Sequence, residues 1–564
     1  MMANTRRDFL QQAATVAVGS YVGIHSSPAV PMLSAAEPPA VDETPELAAL
    51  RIVELSEEHI AAVKRRRRIY VNNDAGYGAP MGPTISAITP AEWIEARFSA
   101  FTQSGSQVDC VGWCLDEGNI AAYPSKVLPE LQYPTLLKWR KEGVDLVKLI
   151  IEESQRRKIE AFWEFRINGA DREADISTPA RIALKDQHPE WLVEGGWWGP
   201  GLWNYAIPEV RAHIVAILRE LAENYDLDGI NLDFGRHPPF LPIGRQWEHR
   251  DALTDFVRQV RLKLQEVAKQ RGRPFLLSVR VADTVPGCHF DGMDVETWVR
   301  QNLVDMIVIG TRSIQVDLSG FREITKGSHI KLYPCIDQHH SPDGYHSLGI
   351  EQLRGLAANW RHQGADGVAT FNFWNELPEM ASRLVGVAYG DSESRRALQR
   401  MAGGESVHAQ AYREMGDLKG LALLDKWFVV SRRYGGGWDD RWNSYLNMNH
   451  QAPLPLTISP EPAWVEIYVA DEVAACADRV QSLRLRLQIS GGPDPQSVLV
   501  KFNGIELRNP AVEADWWVYK LQPQQMAVGR NLLTIRHPVP AGVKPITIEK
   551  VEVHVTYRSA NHGK

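Results

Sequence analysis

Short apolar runs alternate with amphipathic segments along most of the first 390 residues. The runs are rich in valine, isoleucine, leucine and aromatic side chains, which is typical of strands that are buried on both faces. We predict eight such strands, and each is followed by a longer polar segment. They cover 68–72, 108–113, 159–164, 229–234, 275–280, 306–309, 330–335 and 367–373.

The segments between these runs carry apolar residues three and four positions apart, which predicts helices. The clearest are 208–225 and 251–271, and shorter crossover helices are expected at 292–303 and 349–363. Eight strands that alternate with helices predict an α/β fold, a (β/α)8 TIM barrel over 66–390. A doubly wound open sheet is the alternative. It would need a glycine-rich loop after the first strand, and the sequence there does not match GxGxxG.

The alternation of strands and helices stops after about residue 385. Residues 391–455 are mixed and polar, and we expect a linking segment there. Short alternating runs with turn residues between them follow, which predicts a C-terminal antiparallel β-sandwich over 456–564. Such a sandwich either binds carbohydrate or caps the barrel.

The N-terminus has the pattern of a twin-arginine export signal. Arg6 and Arg7 precede Phe-Leu and a small-residue apolar stretch, and Ser34-Ala35-Ala36 offers a cleavage site. The apolar stretch is shorter than the roughly 20 residues that a membrane span needs. We therefore expect a signal peptide at 1–36, an N-terminal segment at 37–65, and a bacterial protein that is periplasmic or extracellular.

Composition narrows the functional class. The chain is 44% hydrophobic and 23% charged, as in ordinary soluble globular proteins. Its net charge of −7 gives no reason to expect a nucleic-acid partner. Five cysteines do not make a disulfide framework, and most are expected to be small buried residues. The 18 tryptophans favour stacking platforms for sugar rings in an exported protein. No cofactor is expected.

Polar side chains gather where the predicted barrel strands end, and these ends surround one mouth of a barrel. Acid pairs together with arginine and tryptophan are typical of enzymes that cleave glycosidic bonds, so we expect a carbohydrate substrate. The candidate catalytic residues are Asp233, Asp283, Glu376 and Asp337. The candidate substrate-binding residues are Asn73, Asp74, Glu164, Arg166, Trp197, Trp198, Arg280, His339, Trp374 and Asn375.

Asp233 is the strongest of these candidates. It ends the otherwise apolar fourth strand, and a buried carboxylate is costly unless it is paired or functional. The alternative is that Asp233 only ties two loops together.

The run Asp228-Gly-Ile-Asn-Leu-Asp233 resembles the fourth-strand motif of several barrel glycosidases. Over roughly residues 66–390 the chain resembles the family-10-like glycosyl hydrolases of bacterial genomes. It is also similar to the α-amylase and α-galactosidase groups, in which an aspartate that ends strand four is the nucleophile. That similarity implies Asp233 as nucleophile and a proton donor on strand five or six.

Two other barrel families are similar, but this sequence lacks their catalytic residues at the fourth strand. The chitinase-like family 18 has a DGxDxDxE strand, whose proton donor falls at Gly235 here and whose middle aspartate falls at Asn231. We therefore do not expect substrate-assisted chitin cleavage. The true family-10 xylanases place an Asn-Glu pair at strand four, whereas Asn375-Glu376 follows strand eight and does not carry over to that role.

The second catalytic acid stays open at this point. Asp283, near the end of strand five, suits a retaining pair about 5–5.5 Å apart, or it is a loop cap before Thr284. Asp337 and Glu376 lie further round the barrel and suit the gap of about 6.5–9.5 Å in inverting enzymes. Glu164 could raise the pKa of Asp233 or bind a sugar hydroxyl.

The remaining candidates each have an ordinary structural alternative. Arg166 and Arg280 hold acidic groups of a glycan, or they form salt bridges to barrel acids. Trp197 and Trp198 stack sugar rings, or they belong to a hydrophobic lid.

Two further function classes remain open. One is a non-catalytic glycan-binding protein on a degenerate barrel. The other is a metal-dependent hydrolase, which would require His339 or His340 to converge with other ligands.

Overall fold

The computed structural model describes most of the chain from Ile52 onward. The described residues are 52–73, 89–115, 118–132, 134–169, 182–196, 199, 201–310, 314–337, 345, 348–373, 401–402, 405–432, 452–538 and 546–558. The predicted signal peptide lies outside them. So do the candidate site residues Asp74, Trp197, Trp198, His339, Trp374, Asn375 and Glu376.

Eight parallel strands form a closed barrel in the order β1 to β8, and β8 pairs back with β1. This closure confirms the predicted barrel and rules out the open sheet. The strands are β1 (Ile69–Asn73), β2 (Val108–Trp113), β3 (Glu160–Arg166), β4 (Gly229–Asp233), β5 (Leu276–Val281), β6 (Met306–Ile309), β7 (Lys331–Asp337) and β8 (Val368–Phe371). All of the predicted strand bounds fall within two residues of these.

Helices surround the barrel and cover its outer face. They are α1 (Glu57–Val63), α2 (Pro90–Phe98), α3 (Pro134–Lys141), α4 (Leu146–Arg157), α5 (Ala183–Gln187), α6 (Pro208–Asn224), α7 (Arg250–Arg271), α8 (Val285–Phe290), α9 (Val295–Arg300), α10 (Leu318–Ile324) and α11 (Ile350–His362). Two more, α12 (Val407–Glu414) and α13 (Leu418–Leu421), follow the barrel. The amphipathic pattern predicted α6, α7 and α11 closely, whereas α9 is shorter than expected because Asp294 caps it two residues after the turn at Gly292.

Side chains of the barrel strands alternate between two separate cores. Those that point outward, such as Val71 and Ile230, pack against the helices. Those that point inward, such as Tyr70 and Phe162, form a smaller cluster inside the barrel. Val63 of α1 belongs to this inner cluster, so α1 closes the N-terminal end of the barrel.

Three aspartates fasten the N-terminal ends of neighbouring strands. Each comes just before an even-numbered strand, and its carboxylate accepts a backbone N–H from the strand before. Asp228 accepts from Ala161 at 2.9 Å, Asp305 from Leu277 at 2.7 Å, and Asp366 from Leu332 at 3.0 Å. The first aspartate of the Asp228–Asp233 motif is therefore structural, and the last one stands at the opposite end of β4.

The C-terminal part consists of two antiparallel sheets, which confirms the predicted sandwich. The six-stranded sheet has the order β11-β20-β14-β18-β17, with β12 also paired to β20, and the four-stranded sheet has the order β13-β19-β15-β16. Their facing side chains share one hydrophobic core. The strands are β11 (Lys426–Val429), β12 (Leu456–Ile458), β13 (Ala463–Val469), β14 (Val480–Ser490), β15 (Leu499–Phe502), β16 (Ile505–Leu507), β17 (Ala511–Glu513), β18 (Trp516–Lys520), β19 (Gly529–Arg536) and β20 (Ile546–Tyr557), and the short pair β9 (Met401–Ala402) and β10 (Glu405–Ser406) precedes them.

The sandwich packs directly on helix α11 of the barrel. At Gly355 a Cβ atom would come within 2.3 Å of the Trp427 carbonyl oxygen, so only glycine permits this approach of helix and strand. Further along α11, the Asn359 side chain donates to the Tyr468 carbonyl at 2.9 Å and accepts from the Ala470 amide at 3.0 Å. These contacts join the two sheets to the barrel wall.

No disulfide joins the five cysteines, all of which the structure describes, and four of them are buried as predicted. Over the described ranges, none of the helices has both the length and the apolar character that crossing a bilayer would require.

Candidate active site

One arginine joins two carboxylates at the C-terminal mouth of the barrel. Arg280 on β5 donates from Nη1 to both oxygens of Asp233, at 3.3 and 3.4 Å, and from Nη2 to Asp337 Oδ2 at 3.2 Å. Asp233 ends β4 and Asp337 ends β7, so the guanidinium spans the interior between strands that are not neighbours. All three side chains are almost fully buried. Two hydrogen bonds to one guanidinium keep the carboxylate oxygens of these acids within about 9 Å of each other.

The surroundings of Arg280 keep it charged. Its guanidinium lies 3.6 Å from the ring centroid of Phe371, and its Nε donates to the Gly310 carbonyl at 3.3 Å. Burial lowers the pKa of Arg280, but the negative charges around it, above all that of Asp233, outweigh burial and hold its pKa above the usual range. Phe371 contributes the face of a π system, which attracts a cation.

Backbone contacts fix the position of Asp233. Its Oδ1 accepts from the Gly235 amide at 2.8 Å, and its carbonyl accepts from the Ile167 amide at 3.2 Å. Next to it, the Phe234 amide donates to the Arg280 carbonyl at 3.1 Å. Asp233 and Arg280 are register partners on neighbouring strands, so the barrel itself holds this pair.

Asp337 has a second support from the end of β8. Asn372 donates from Nδ2 to Asp337 Oδ1 at 3.2 Å, and its backbone has φ 49°, in the left-handed region that asparagine tolerates. The turn after β8 thus directs an amide towards this carboxylate.

Glu164 and Arg166 reach the mouth from β3, where Arg166 is the register partner of Asp233. At Gly112 on β2, a Cβ would come within 2.4 Å of the Tyr70 hydroxyl and 2.7 Å of Glu164 Oε2. Glycine at this position therefore leaves room for a tyrosine and a carboxylate to approach each other. Burial, and after it the charge of Glu164, raise the pKa of Tyr70 well above its usual value.

Asp283 lies beside Gly310, which is in contact with Arg280. The Asp283 Oδ1 atom is 3.4 Å from the position of a Cβ at Gly310, and the Gly310 carbonyl is the one that Arg280 contacts. The cap of α8 is Thr284, whose side chain accepts from the Gly287 amide at 2.9 Å. The geometry thus gives the capping role to Thr284 and leaves Asp283 buried beside the mouth.

The predicted candidates divide into four groups. Asp233, Arg280 and Asp337 are in direct contact, and Glu164, Arg166 and Asp283 lie around them. Asn73 instead donates to the Arg97 carbonyl of α2 at 3.2 Å, on the outer side of the barrel. The other candidates lie outside the described residues. For Arg280, the salt bridge that the sequence left as the alternative to glycan binding is present.

Sequence reasoning missed three contributors to the site. Phe371 and Tyr70 were hidden in apolar runs that also predict plain core. Gly310 had a usable signal, because a glycine directly after an apolar strand indicates a turn with positive φ, here 103°. Within the described part of the chain, no three histidine, cysteine, aspartate or glutamate side chains form a group that could hold a metal ion.

A closed (β/α)8 barrel with buried carboxylates at its C-terminal mouth has the architecture of TIM-barrel enzymes, whose active sites are built from the βα loops at that mouth. Within this class, residues 107–240 match the family described as glycosyl hydrolase-like 10. The match covers β2 to β4, including Asp233, and confirms the predicted resemblance over that part of the chain.

Relatives and solved structures were found as well. The chain is 32% identical over 163 residues to the glycosyl hydrolase YngK of Bacillus subtilis (strain 168), which covers 27% of this chain and 31% of that protein. The chain thus spans about a third of the length of the curated relative it matches.

Among solved structures, α-L-fucosidase isoenzyme 2 from Paenibacillus thiaminolyticus is 13% identical with a TM-score of 0.36, covering 59% of this chain and 50% of that one. The PgaB (BpsB) glycoside hydrolase domain from Bordetella bronchiseptica is also 13% identical with a TM-score of 0.36, covering 57% and 98%.

Proposed function

We propose that the protein is an exported glycoside hydrolase that cleaves a polysaccharide or oligosaccharide at the barrel mouth. The observation that carries this proposal is a group of buried carboxylates at the mouth, in which Asp233 and Asp337 are bonded to Arg280 and Asp283 lies nearby. Both mechanisms of glycosidic bond cleavage use two carboxyl groups at one site. The match to glycosyl hydrolase-like 10 over β2 to β4 supports the proposal independently.

In this proposal Asp233 is the nucleophile, because it ends β4 and its position is fixed on both sides. Arg280 offsets the charge of Asp233 and Asp337, so that two carboxylates can be buried together. The proton donor is Asp283, on the segment that follows β5, where the similarity to the α-amylase group implies it. Its carboxylate lies beside Gly310, whose carbonyl accepts from Arg280.

A glycan-binding protein without activity is the second candidate. The observation that favours it is that Asp233 is fully buried and both of its oxygens are bonded to Arg280. A carboxylate that is bonded in this way is also typical of a structural ion pair.

The test is hydrolysis of a panel of polysaccharides and aryl glycosides by the wild type and by Asp233→Asn. The matched control is Asp228→Asn, the same substitution at the other end of β4. Circular dichroism establishes that all three proteins are folded. We expect Asp233→Asn to lose activity by about 10³-fold or more, because a missing nucleophile removes the covalent step. Asp228→Asn is expected to lower stability and keep activity.

The outcomes separate the candidates. Full activity in Asp233→Asn would remove Asp233 from the mechanism. If the wild type hydrolyses none of the substrates in the panel, the glycan-binding protein is favoured. Loss of activity in Asp233→Asn alone, with the substrate identified, would support the hydrolase.

The twin-arginine pattern supports export, and the carbohydrate class of substrate agrees with a periplasmic or extracellular location. We propose that residues 1–36 direct the folded chain out of the cytoplasm.

A further inference from the structure

A strongly exposed tryptophan stands on the outer face of the four-stranded sheet. Trp464 on β13 is 64% exposed, more than any other large hydrophobic side chain in the described ranges. Strand alternation explains its direction, since its neighbour Val465 points into the sandwich core. An exposed indole offers a flat apolar surface on which a ligand can stack.

Cross-strand pairing places four more side chains on the same face of the sheet as Trp464. Trp464 is opposite Thr534 on β19, and Thr534 is opposite Lys501 on β15. One step along the sheet, Glu466 is opposite Leu532, which is 40% exposed. We call these five residues the Trp464 face. It combines one ring, one aliphatic side chain and three groups that form hydrogen bonds.

The Trp464 face continues into a cleft between the sandwich and the barrel. The cleft has a volume of about 690 Å³, within the range of small-molecule sites. Its sandwich wall includes Glu466 and Arg530, and its barrel wall consists of α10, α11 and the segment 314–318. That segment also reaches the mouth, because the Asp317 amide donates to the Asp283 carbonyl at 2.8 Å. The cleft therefore lies one loop away from the candidate acid.

The charges of the cleft balance each other. Among the described residues, three acidic and three basic side chains line it, namely Asp317, Glu323, Glu466, Arg322, Lys326 and Arg530, and Lys501 on the Trp464 face adds one further positive charge. An excess of one positive charge over the face and the cleft together is too small to attract a polyanion strongly. The many donors and acceptors of the cleft suit an uncharged ligand that is rich in hydroxyl groups.

We propose that the Trp464 face and this cleft bind a neutral polysaccharide chain, as a second glycan site outside the barrel mouth. The apolar C–H face of a pyranose stacks on the Trp464 indole, and the hydroxyl groups of following sugars bond to the polar walls. The site would hold the polymer whose bonds the mouth cleaves, and in this sense it rests on the proposed function.

The experiment is affinity electrophoresis of the full chain in native gels that contain soluble starch, hydroxyethyl cellulose or glycol chitin, with alginate as a polyanion. The protein carries Asp233→Asn, so that the polymer stays intact, and the wild type is run beside it. The variants are Trp464→Ala, Trp464→Phe and the matched control Val512→Ala. Val512 is another strongly exposed apolar residue, 57% exposed, and it lies on the other sheet.

We expect retardation by at least one neutral polymer and none by alginate. Trp464→Ala should weaken the binding about tenfold, Trp464→Phe should retain part of it, and Val512→Ala should leave it unchanged. The proposal is overturned by the absence of retardation in all three neutral gels, or by equal retardation of Trp464→Ala. It is also overturned if size-exclusion chromatography with light scattering shows a dimer that Trp464→Ala dissociates, because the face would then belong to a second copy.

Because retardation is measured without cleavage, the two proposals fail separately. A wild type that binds but hydrolyses nothing would remove the proposed activity and leave this site in place.

Discussion

Arg280 donates from a single nitrogen, Nη1, to both carboxylate oxygens of Asp233 on the neighbouring strand. The two residues are register partners, so the barrel brings them together without help from a loop. Both are buried, and a buried charge is tolerated only when it is compensated. Burial of the proposed nucleophile in its charged form therefore depends on Arg280.

Replacing Arg280 by methionine should destabilise the protein strongly. Asp233 and Asp337 would be left buried without a counter-charge, which costs about 3–5 kcal/mol in the free energy of unfolding. Urea denaturation followed by tryptophan fluorescence measures the change. Adding Asp233→Asn to Arg280→Met should recover part of the loss, because one of the two unpaired charges disappears. Strictly additive losses would show that the pair contributes nothing as a pair.

Gly310→Ala should damage both stability and activity. Gly310 has φ 103°, and a Cβ there would lie 2.9 Å from Val316 Cγ1, so backbone strain costs about 1–3 kcal/mol. Its carbonyl also accepts from Arg280, so a shift at this residue should disturb the mouth. The matched control is Gly420→Ala, at a position where a Cβ would meet nothing within 4 Å. Thermal unfolding and hydrolysis assays on both variants test this, and an unchanged Gly310→Ala would contradict it.

Asp305 should make the barrel sensitive to acid. Burial alone would raise its pKa, but the charge of Arg261 and hydrogen bonds from His329 and His59 outweigh burial and hold its pKa well below the usual 3.8. A carboxyl whose pKa is depressed by folding stabilises the protein above its unfolded pKa, and this stability is lost as the pH falls through the folded value. We expect the free energy of unfolding to fall below about pH 4, and the dependence to flatten in Asp305→Asn.

The matched control for Asp305 is Asp366→Asn. Asp366 occupies the equivalent position before β8, but its side chain is 32% exposed and Lys331 is its cation. Asp366→Asn should therefore cost less stability and leave the acid sensitivity in place. Equal pH profiles for both variants would contradict the role given to Asp305.

Replacing Arg6 and Arg7 together by lysine should stop export. The twin-arginine pathway reads the arginine pair itself, so the charge alone should not substitute for it. Fractionation of expressing bacterial cells, with immunoblotting of cytoplasm and exterior, measures the distribution. A protein that leaves the cytoplasm equally with the paired lysines would argue against this route.

The barrel could be predicted because its strands are buried on both faces, which leaves continuous apolar runs between turn residues. β17 could not, since Ala511, Val512 and Glu513 are all exposed and give no alternation. β18 has a similar problem, because consecutive buried residues from Trp517 to Tyr519 hide the period of two.

At the site, Asp233 was predictable as the one charge in an apolar strand. The contacts that Asp233 makes could not be predicted from the sequence. Asp337 lies 57 positions after Arg280, and only the closed barrel brings the two together. Whether an arginine at a strand end binds a substrate or a neighbouring acid depends on such distances, which the sequence does not contain.

The central position of β20 in its sheet has a consequence for synthesis. β20 pairs with β11, β12 and β14, yet it is translated after every other strand of that sheet. The six-stranded sheet therefore cannot assemble until β20 has been translated. A chain that terminated prematurely, before residue 546, would leave the edges of β11, β12 and β14 unpaired and open to proteolysis.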